Sequence, residues 1–458
     1  MMAPAAAVTP IMNALVAAAA RSGTPHHSLP ACLGALLLVT FACVATAQPV
    51  FSHAGLTLPD AQKMAVTRSR QVAAQDSMAA AAREMAAAAG QLPDPVLKLG
   101  IDNVPADGAD RFSLGTDSMT MRRIGVMQEI TRDDKRRLKS ARFEREAERA
   151  VTEKAATVAS VQKDTALAWL DRYYLERLRA ALAAQAQEAQ LEIEAAEGAY
   201  RAGRGSQADV FAARAARVGL DDRLSELDRR LRSARAALAR WIGEGADTPL
   251  AAAPDMRAVK LDTHRLDEDL RNHPEIAMLQ RQVEVADTEA ALARANKNAD
   301  WSVEVAYQQR GPAYANMFSV GVAIPLQWDQ KNRQDRELAA KLALADRAKA
   351  QQEEALRAHV AEVRQTYNEW ENGREREARI ERELLPLAEE RTRAALAAYR
   401  GGKGDLAAVL AARKNEIEVR TQALQLALDT ARAWAQLTFL VPTEDHSDHL
   451  AHLPGAQP

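Results

Sequence analysis

Two kinds of hydrophobic periodicity divide this chain. From Trp301 to Trp328 apolar and polar positions alternate: Trp301, Val303, Val305 and Tyr307 interleave with Ser302, Glu304, Ala306 and Gln308. After a turn around Gly311 and Pro312, Phe318, Val320, Val322, Ile324, Leu326 and Trp328 interleave with Ser319, Gly321, Ala323, Pro325 and Gln327. A repeat of two sends successive side chains to opposite faces of a strand, so the stretch predicts a β-hairpin. Each limb has about 9 to 11 residues, enough for a tilted strand to cross a bilayer. Its apolar face, bounded by Trp301, Tyr307, Phe318 and Trp328, has the aromatic girdles of an outer-membrane barrel strand. The same alternation suits an amphipathic hairpin on a soluble helical core, and the period by itself leaves both open.

A weaker copy lies upstream. Leu97, Leu99 and Ile101 alternate with Lys98, Gly100 and Asp102; a polar loop runs from Asn103 to Asp117; Ile124, Val126 and Ile130 mark the return, interrupted by Arg122 and Arg123. Elsewhere the pattern is helical. Leu58 to Leu92 reads as one helix with Pro59 in its first turn and Pro93 and Pro95 behind it. Beyond Asp133 there is no glycine until Gly198 and no proline until Pro249. That predicts a rod of about 100 Å at 1.5 Å per residue, which needs neighbours along its whole length. It breaks at Tyr200-Arg201-Ala202-Gly203-Arg204-Gly205-Ser206, after which Ser206 and Asp209 make a capping-box start to a second helix ending near Trp241.

The second half repeats the first. Ala277 to Ala295 is helical, residues 301–328 form the hairpin, and Asp335 to Tyr399 is a long helix interrupted only by Gly373 and Pro386. The break recurs as Tyr399-Arg400-Gly401-Gly402-Lys403-Gly404-Asp405; Thr366, Trp370 and Arg413 fall opposite Thr165, Trp169 and Arg214. Copies of about 200 residues are too long for a solenoid unit. They predict internal duplication: residues 48–250 with hairpin 96–130 and tip 200–209, and residues 251–442 with hairpin 301–328 and tip 399–408.

Composition agrees with long helices packed through small residues. Aromatic residues are 4% of the chain, hydrophobic residues 47% and charged residues 27%, with a formal net charge of −2. That balance gives no electrostatic case for a nucleic-acid partner. Residues 1–47 read as an export signal, with an apolar stretch from Leu29 and the small residues Ala45-Thr46-Ala47 at its cleavage site. Both cysteines, Cys32 and Cys43, lie inside it, so the mature chain is expected to hold no disulfide and no thiolate ligand.

The tail, residues 443–458, places His446, His449 and His452 among Glu444, Asp445 and Asp448. Imidazole and carboxylate at this spacing are candidate ligands for copper, zinc or nickel, although a solvated tail without stored metal accounts for them equally. Met64, Met78, Met85, Met119, Met121 and Met127 read as packing residues. No catalytic set is present: there is no Gly-x-Ser-x-Gly, no His-Glu-x-x-His and no phosphate loop, and no cofactor is expected.

The duplicated Tyr-Arg-x-Gly tips, the strand end Gly321 to Leu326 and the Gln91-Leu92-Pro93-Asp94-Pro95 lead into the first strand resemble the TolC-type outer-membrane efflux proteins, in the branch serving heavy-metal resistance pumps. The resemblance runs from about Leu56 to Pro442. It implies a mainly α chain with membrane β: a homotrimer whose four strands per chain close a twelve-stranded barrel in outer-membrane lipid, continued by a periplasmic α-helical barrel. Trp301, Val303, Val305, Tyr307, Phe318, Val320, Val322, Ile324 and Trp328 would face lipid. The tips would form the periplasmic entrance and meet an adaptor and an inner-membrane pump of the RND type, through Tyr200, Arg201, Gly203, Gly205 and Asp209 and through Tyr399, Arg400, Gly402, Gly404 and Asp405. Family members often carry an acid before a valine just past each tip. Asp209-Val210 fits, whereas Ala408 precedes Val409 in the second copy, with Asp405 three residues earlier. A ring of aspartates would draw cations to the entrance; capping of the next helix explains the same acids. The function implied is an exit duct for copper, silver, cobalt, zinc or cadmium ions. The competing readings are the same duct carrying drugs or secreted protein, and a soluble periplasmic coiled-coil adaptor.

Overall fold

The computed structural model describes residues 55–440 other than 260 and 262–264. Residues 1–47, read as an export signal, both cysteines and the three tail histidines lie outside the described residues.

The two hairpins form one antiparallel sheet. Strands β1 (Val96–Asp102), β2 (Met121–Ile130), β3 (Trp301–Gln309) and β4 (Met317–Ala323) follow the order β1-β2-β3-β4, so β2 and β3 join the two copies. The register sets Leu97, Val126, Val305 and Val320 side by side, and Leu99, Ile124, Tyr307 and Phe318 in the next apolar row. Directly paired residues of an antiparallel sheet share a face. That face carries Leu97, Leu99, Ile101, Ile124, Val126, Val305, Tyr307, Phe318, Val320 and Val322, exposed by 38% to 70%. In water so large an apolar face would be a liability; against acyl chains it is what the strand pattern requires. Beyond the strands the two loops cross closely. The Arg310 guanidinium donates to the Ser118 carbonyl, and any side chain at Gly311 would overlap the backbone of Gly115.

Below the sheet, α3 (Asp133–Arg201) runs unbroken for 69 residues, about 100 Å. It turns back at the first tip into α4 (Gln207–Ile242). Buried Val210, Ala213, Leu220, Leu227, Leu231, Ala234 and Leu238 recur at three, four and seven on α4 and meet Leu175, Leu178, Leu182, Ala186, Ala189, Ile193 and Ala196 of α3. This is a coiled-coil seam, with alanine keeping the axes close. In the second copy α7 (Gln334–Arg379), a π-helical turn (Ile380–Leu384) and α8 (Leu385–Arg400) lead to the second tip, and α9 (Leu406–Leu440) returns. The π turn sits just before Pro386. Proline has no N–H to give and its ring crowds the carbonyl four residues back, so the widened turn accommodates it without breaking the rod.

Halfway along, the rods are bound into a girdle. Trp169 is fully buried beside Leu170, Leu238, Leu266, Leu270 and Leu437. The duplication is explicit there. The Trp169 indole N–H donates to the Leu56 carbonyl at 3.2 Å across 113 positions, and that of Trp370 to the Met256 carbonyl at 3.2 Å across 114 positions.

Three expectations are corrected. Residues 58–92 form two helices, α1 (Leu58–Arg68) and α2 (Arg70–Ala89), because Ser69 adopts ψ 115° and its hydroxyl accepts the Val72 N–H, starting a new helix where the old one stops. The last strand ends at Ala323 and not at Trp328; Pro325 lacks the N–H a ladder needs. Ile324 and Trp328 therefore follow the strand instead of belonging to it, although both are exposed. Gly373 does not interrupt its helix. It lets α7 approach α9, since a Cβ there would overlap the Thr430 hydroxyl. Gly373→Ala is expected to lower stability by about 1–3 kcal/mol through overpacking, and Thr430→Ala to restore part of that loss in the double variant; thermal unfolding of the detergent-solubilised protein is the measurement.

Candidate channel lining and entrance

The sheet's second face is polar and contains a charge cluster. The row Lys98, Gly125, Ala306, Ser319 runs across all four strands. Gly125 and Ala306 leave room above them, because a Cβ at Gly125 would stand 2.8 Å from the Ala306 Cβ. Through that space Lys98 Nζ reaches Glu304 Oε2 at 2.7 Å, and the Arg123 guanidinium pairs with the other oxygen of Glu304 and, at 3.7 Å, with Asp102. Arg123, expected to interrupt its strand, points to this face. Arg122 shares the row of Ile101 and Gln309 at the loop end, where it reaches the Leu114 carbonyl at 3.5 Å. The opposite parity of Lys98 and Glu304 to the Leu and Val positions was visible in the sequence. The convergence of three strands on Glu304 was not.

At the far end of the rods the two tips have the same geometry. Gly203 and Gly402 take φ of 71° and 69°, the left-handed region that closes a helix. The N–H of Arg204 bonds the Ala199 carbonyl, and that of Lys403 the Ala398 carbonyl, each at 2.9 Å. Gly205 and Gly404 fit where a Cβ would press on Ala199 and Ala398, at 3.2 and 3.1 Å. Both glycine clusters are therefore turns between helices. Tyr200 is half exposed, whereas Tyr399 packs on the small core of Ile193, Val210, Leu406 and Val409. Arg201 and Arg400 are exposed.

Both candidate acids cap helices. Ser206 Oγ accepts the Asp209 N–H at 3.1 Å while Asp209 Oδ2 accepts the Ser206 N–H at 2.8 Å, the reciprocal capping box read from the sequence. These bonds hold the Asp209 carboxyl below the usual carboxylate range, so it is anionic at neutral pH and faces solvent. Asp405 Oδ1 accepts the Ala408 N–H at 2.8 Å.

Above the tips the two coiled coils are tied by a network that spacing did not disclose. Arg214 and Arg413, equivalent in the repeat, differ in setting. Arg214 pairs with Glu197 on the surface, whereas Arg413 is largely buried between Glu188 and Glu192 of α3 and Glu416 of its own helix, at 2.5, 3.2 and 3.3 Å. Burial raises the Glu192 carboxyl, and Arg413 opposes that rise. Among the described residues no group of three or more His, Cys, Asp and Glu is placed to hold a metal ion, and no helix is long and apolar enough to cross a membrane. The latter says nothing of a barrel.

A second buried pair lies in the girdle. His273 and His359 are each 5% exposed, with ring centroids 4.5 Å apart. His273 caps α6 (Pro274–Ala295), its Nδ1 accepting the Glu275 N–H at 3.3 Å. Ser69 does the same for α2 in the first copy. His359 Nδ1 lies 3.8 Å from Glu362. Burial first, then His359, lowers the His273 imidazole to about 4; Lys163 acts in the same direction and a hydrogen bond with the Phe439 backbone opposes it.

The comparisons agree with this geometry. Residues 266–441 match the family model described as outer membrane efflux protein. Among solved structures, the outer-membrane channel OprN superposes with a TM-score of 0.71 at 16% identity, covering 84% of this chain and 90% of that one. CusC, whose structures are described as following folding and transmembrane channel formation, gives 0.71 at 14%, covering 84% and 92%. The outer membrane protein VceC of Vibrio cholerae gives 0.64 at 18%, covering 82% and 96%. No curated protein matches by sequence.

Proposed function

We propose, from the premise that this chain is a TolC-type outer-membrane efflux protein, that three copies close into the exit duct of a tripartite pump. One observation carries this: an open four-stranded sheet, apolar on one face and polar on the other, stands on rods about 100 Å long. Lipid does not tolerate the unpaired edges of β1 and β4, which neighbouring copies would satisfy. Two copies would make an eight-stranded barrel filled by its own side chains, so three are the fewest that leave a channel. The barrel would place Glu304, Lys98 and Arg123 in the lumen and the ten apolar side chains in lipid. Tyr200, Arg201, Gly203, Gly205 and Asp209, with Tyr399, Arg400, Gly402, Gly404 and Asp405, would meet the periplasmic adaptor and the RND pump. The His446, His449 and His452 tail is a candidate for transient metal contact.

The cargo reading is heavy-metal cations, copper and silver or cobalt, zinc and cadmium. It rests on the resemblance of the tips and strand ends to the metal-resistance branch, and on the helix-capping carboxylates Asp209 and Asp405 at the entrance. Two measurements test the two levels. Heat-modifiable, detergent-dependent trimers in the outer-membrane fraction are expected, and a soluble monomer released by osmotic shock would end the duct reading. Deletion of the gene is expected to sensitise cells to at least one of the five metals; unchanged tolerance to all five, with no second duct present, would leave the duct and remove the metal cargo.

A further inference from the structure

Neighbouring arginines on β2 go to opposite faces of the sheet. Arg123 lies on the polar face, where Glu304 and Asp102 match its charge. Arg122 lies on the apolar face, in the row Ile101, Arg122, Gln309, directly above the row Leu99, Ile124, Tyr307, Phe318. It is exposed, its guanidinium donates to the Leu114 carbonyl at 3.5 Å, and among the described residues it makes no ion pair with a carboxylate. The acids near it in sequence are engaged elsewhere: Asp102 faces Arg123, and Asp117 Oδ1 accepts the N–H groups of Met119 and Thr120 at 2.7 and 3.2 Å.

A cation on a lipid-facing strand costs most at the bilayer midplane and little at its interface. Register gives the depth of this one. From Ile130, which pairs with Trp301 at the rod end of the sheet, to Arg122 is about 27 Å along β2 at about 3.4 Å per residue. A strand tilt of about 40° turns that into roughly 20 Å of height, most of an apolar band about 25 Å tall. With Trp301 in the lower aromatic girdle and Tyr307 and Phe318 in the upper one, Arg122 stands at the headgroup level of the leaflet farther from the rods. In the barrel reading that is the outer leaflet.

We propose that Arg122, with the exposed Gln309 amide beside it, binds the phosphate of an acylated, phosphorylated glycolipid of that leaflet, whose chains lie on Ile101, Ile124, Tyr307 and Phe318. This rests on the barrel reading given above and adds a lipid ligand to it. A planar guanidinium makes paired, charge-assisted bonds to phosphate, and Arg122 has donors left after Leu114. The loop above holds the group in place. Ser113 Oγ accepts the Thr116 N–H at 3.1 Å, a turn that presents the Leu114 carbonyl to Arg122 and leaves the Leu114 side chain 46% exposed. A fixed cation with apolar side chains above and below it matches a headgroup joined to acyl chains; a free anion would gain nothing from Ile101, Leu114 or Phe318. Position in the sheet keeps the site open. Arg122 and Gln309 belong to the two central strands, whereas copies would join through β1 and β4, so ring closure leaves both facing lipid, once per copy.

The test uses the full chain, purified as a trimer in nonionic detergent and mixed with micelles of bisphosphorylated lipid A or of the same lipid stripped of its phosphates. After gel filtration the phosphorylated lipid is expected to stay with the protein and the stripped lipid to be lost, read as fatty acid released per chain. Arg122→Gln is expected to weaken retention about tenfold, the loss of a charge-assisted contact, and Arg122→Lys to give an intermediate value. Arg123→Gln makes the same change on the polar face and is expected to leave retention unchanged. Equal retention of the two lipids by the parent trimer, or equal loss in the Arg122→Gln and Arg123→Gln trimers, would overturn the site while leaving the barrel standing. Because the two lipids are compared on the parent chain, the first of these results decides even where Arg122→Gln fails to assemble. Inorganic phosphate that displaces lipid A at equal phosphate concentration would make this a free-anion site and overturn the lipid assignment. A chain that forms no detergent-dependent trimer in any background would remove the barrel and the lipid site together.

Discussion

Replacing Val303, Val305, Val320 and Val322 together with aspartate is expected to abolish assembly in the membrane. The four side chains form two directly paired positions on the apolar face, Val303 with Val322 and Val305 with Val320. A carboxylate facing acyl chains costs on the order of 2 kcal/mol, so four approach the whole stability of a typical domain. The same charge on the other face should be tolerated. Ser302→Asp and Ser319→Asp occupy rows that already hold Glu129 and Lys98, in what the barrel reading makes an aqueous lumen. The measurement is the heat-modifiable trimer in outer-membrane fractions. Trimers persisting in the quadruple variant, or lost in both serine variants, would mean that the faces have been assigned the wrong way round.

The second large effect is acid sensitivity seated at His273. Its imidazole is held neutral in the fold, at about 4 against 6.5 for a free histidine. A depressed folded pKa means that this contribution is complete above about pH 6.5, declines as the pH falls toward 4, and is gone below. At 1.36 kcal/mol per unit that amounts to roughly 3 kcal/mol per chain. Protonation would also remove the lone pair of Nδ1 that caps α6, and would set a cation beside His359 and Lys163. His273→Asn keeps a capping acceptor and cannot titrate. The variant is expected to melt like the parent at pH 7 and to lose less stability between pH 6.5 and 4. Parallel acid profiles for the two proteins would show that the fold does not depress the His273 imidazole.

The structural elements that depend on neighbours in the chain were legible from residue order. Alternation at Trp301 to Gln309 and Met317 to Ala323 required strands, and the absence of glycine and proline beyond Asp133 required a rod. The reciprocal Ser206 and Asp209 cap was legible because a capping box spans only four residues. The glycine that closes each tip recurs because a left-handed position in such a turn selects glycine, as at Gly203 and Gly402. Where local signals competed, the reading strayed. Ser69 could continue a helix or begin one, and its hydroxyl chose the latter; Pro325 ended a strand that its apolar neighbours would have prolonged.

Contacts between distant segments were decided only by tertiary structure. Nothing in the spacing of Lys98, Arg123 and Glu304 shows that β2 pairs with β3 and brings the three charges together over Gly125. His273 caps α6 and His359 lies on α7, and the contact of their rings depends on how α6 and α7 meet at the girdle. Gly373 reads as a weak point of its helix until Thr430 is seen against it. Period, cap and turn are properties of a few consecutive residues, so the sequence by itself determined the hairpins, the rods, the tips and their duplication. Register across strands and burial of charge depend on which segments come together, and for this protein the Glu304 cluster on the polar face, the Arg413 network and the free edges of the sheet came only from the folded chain.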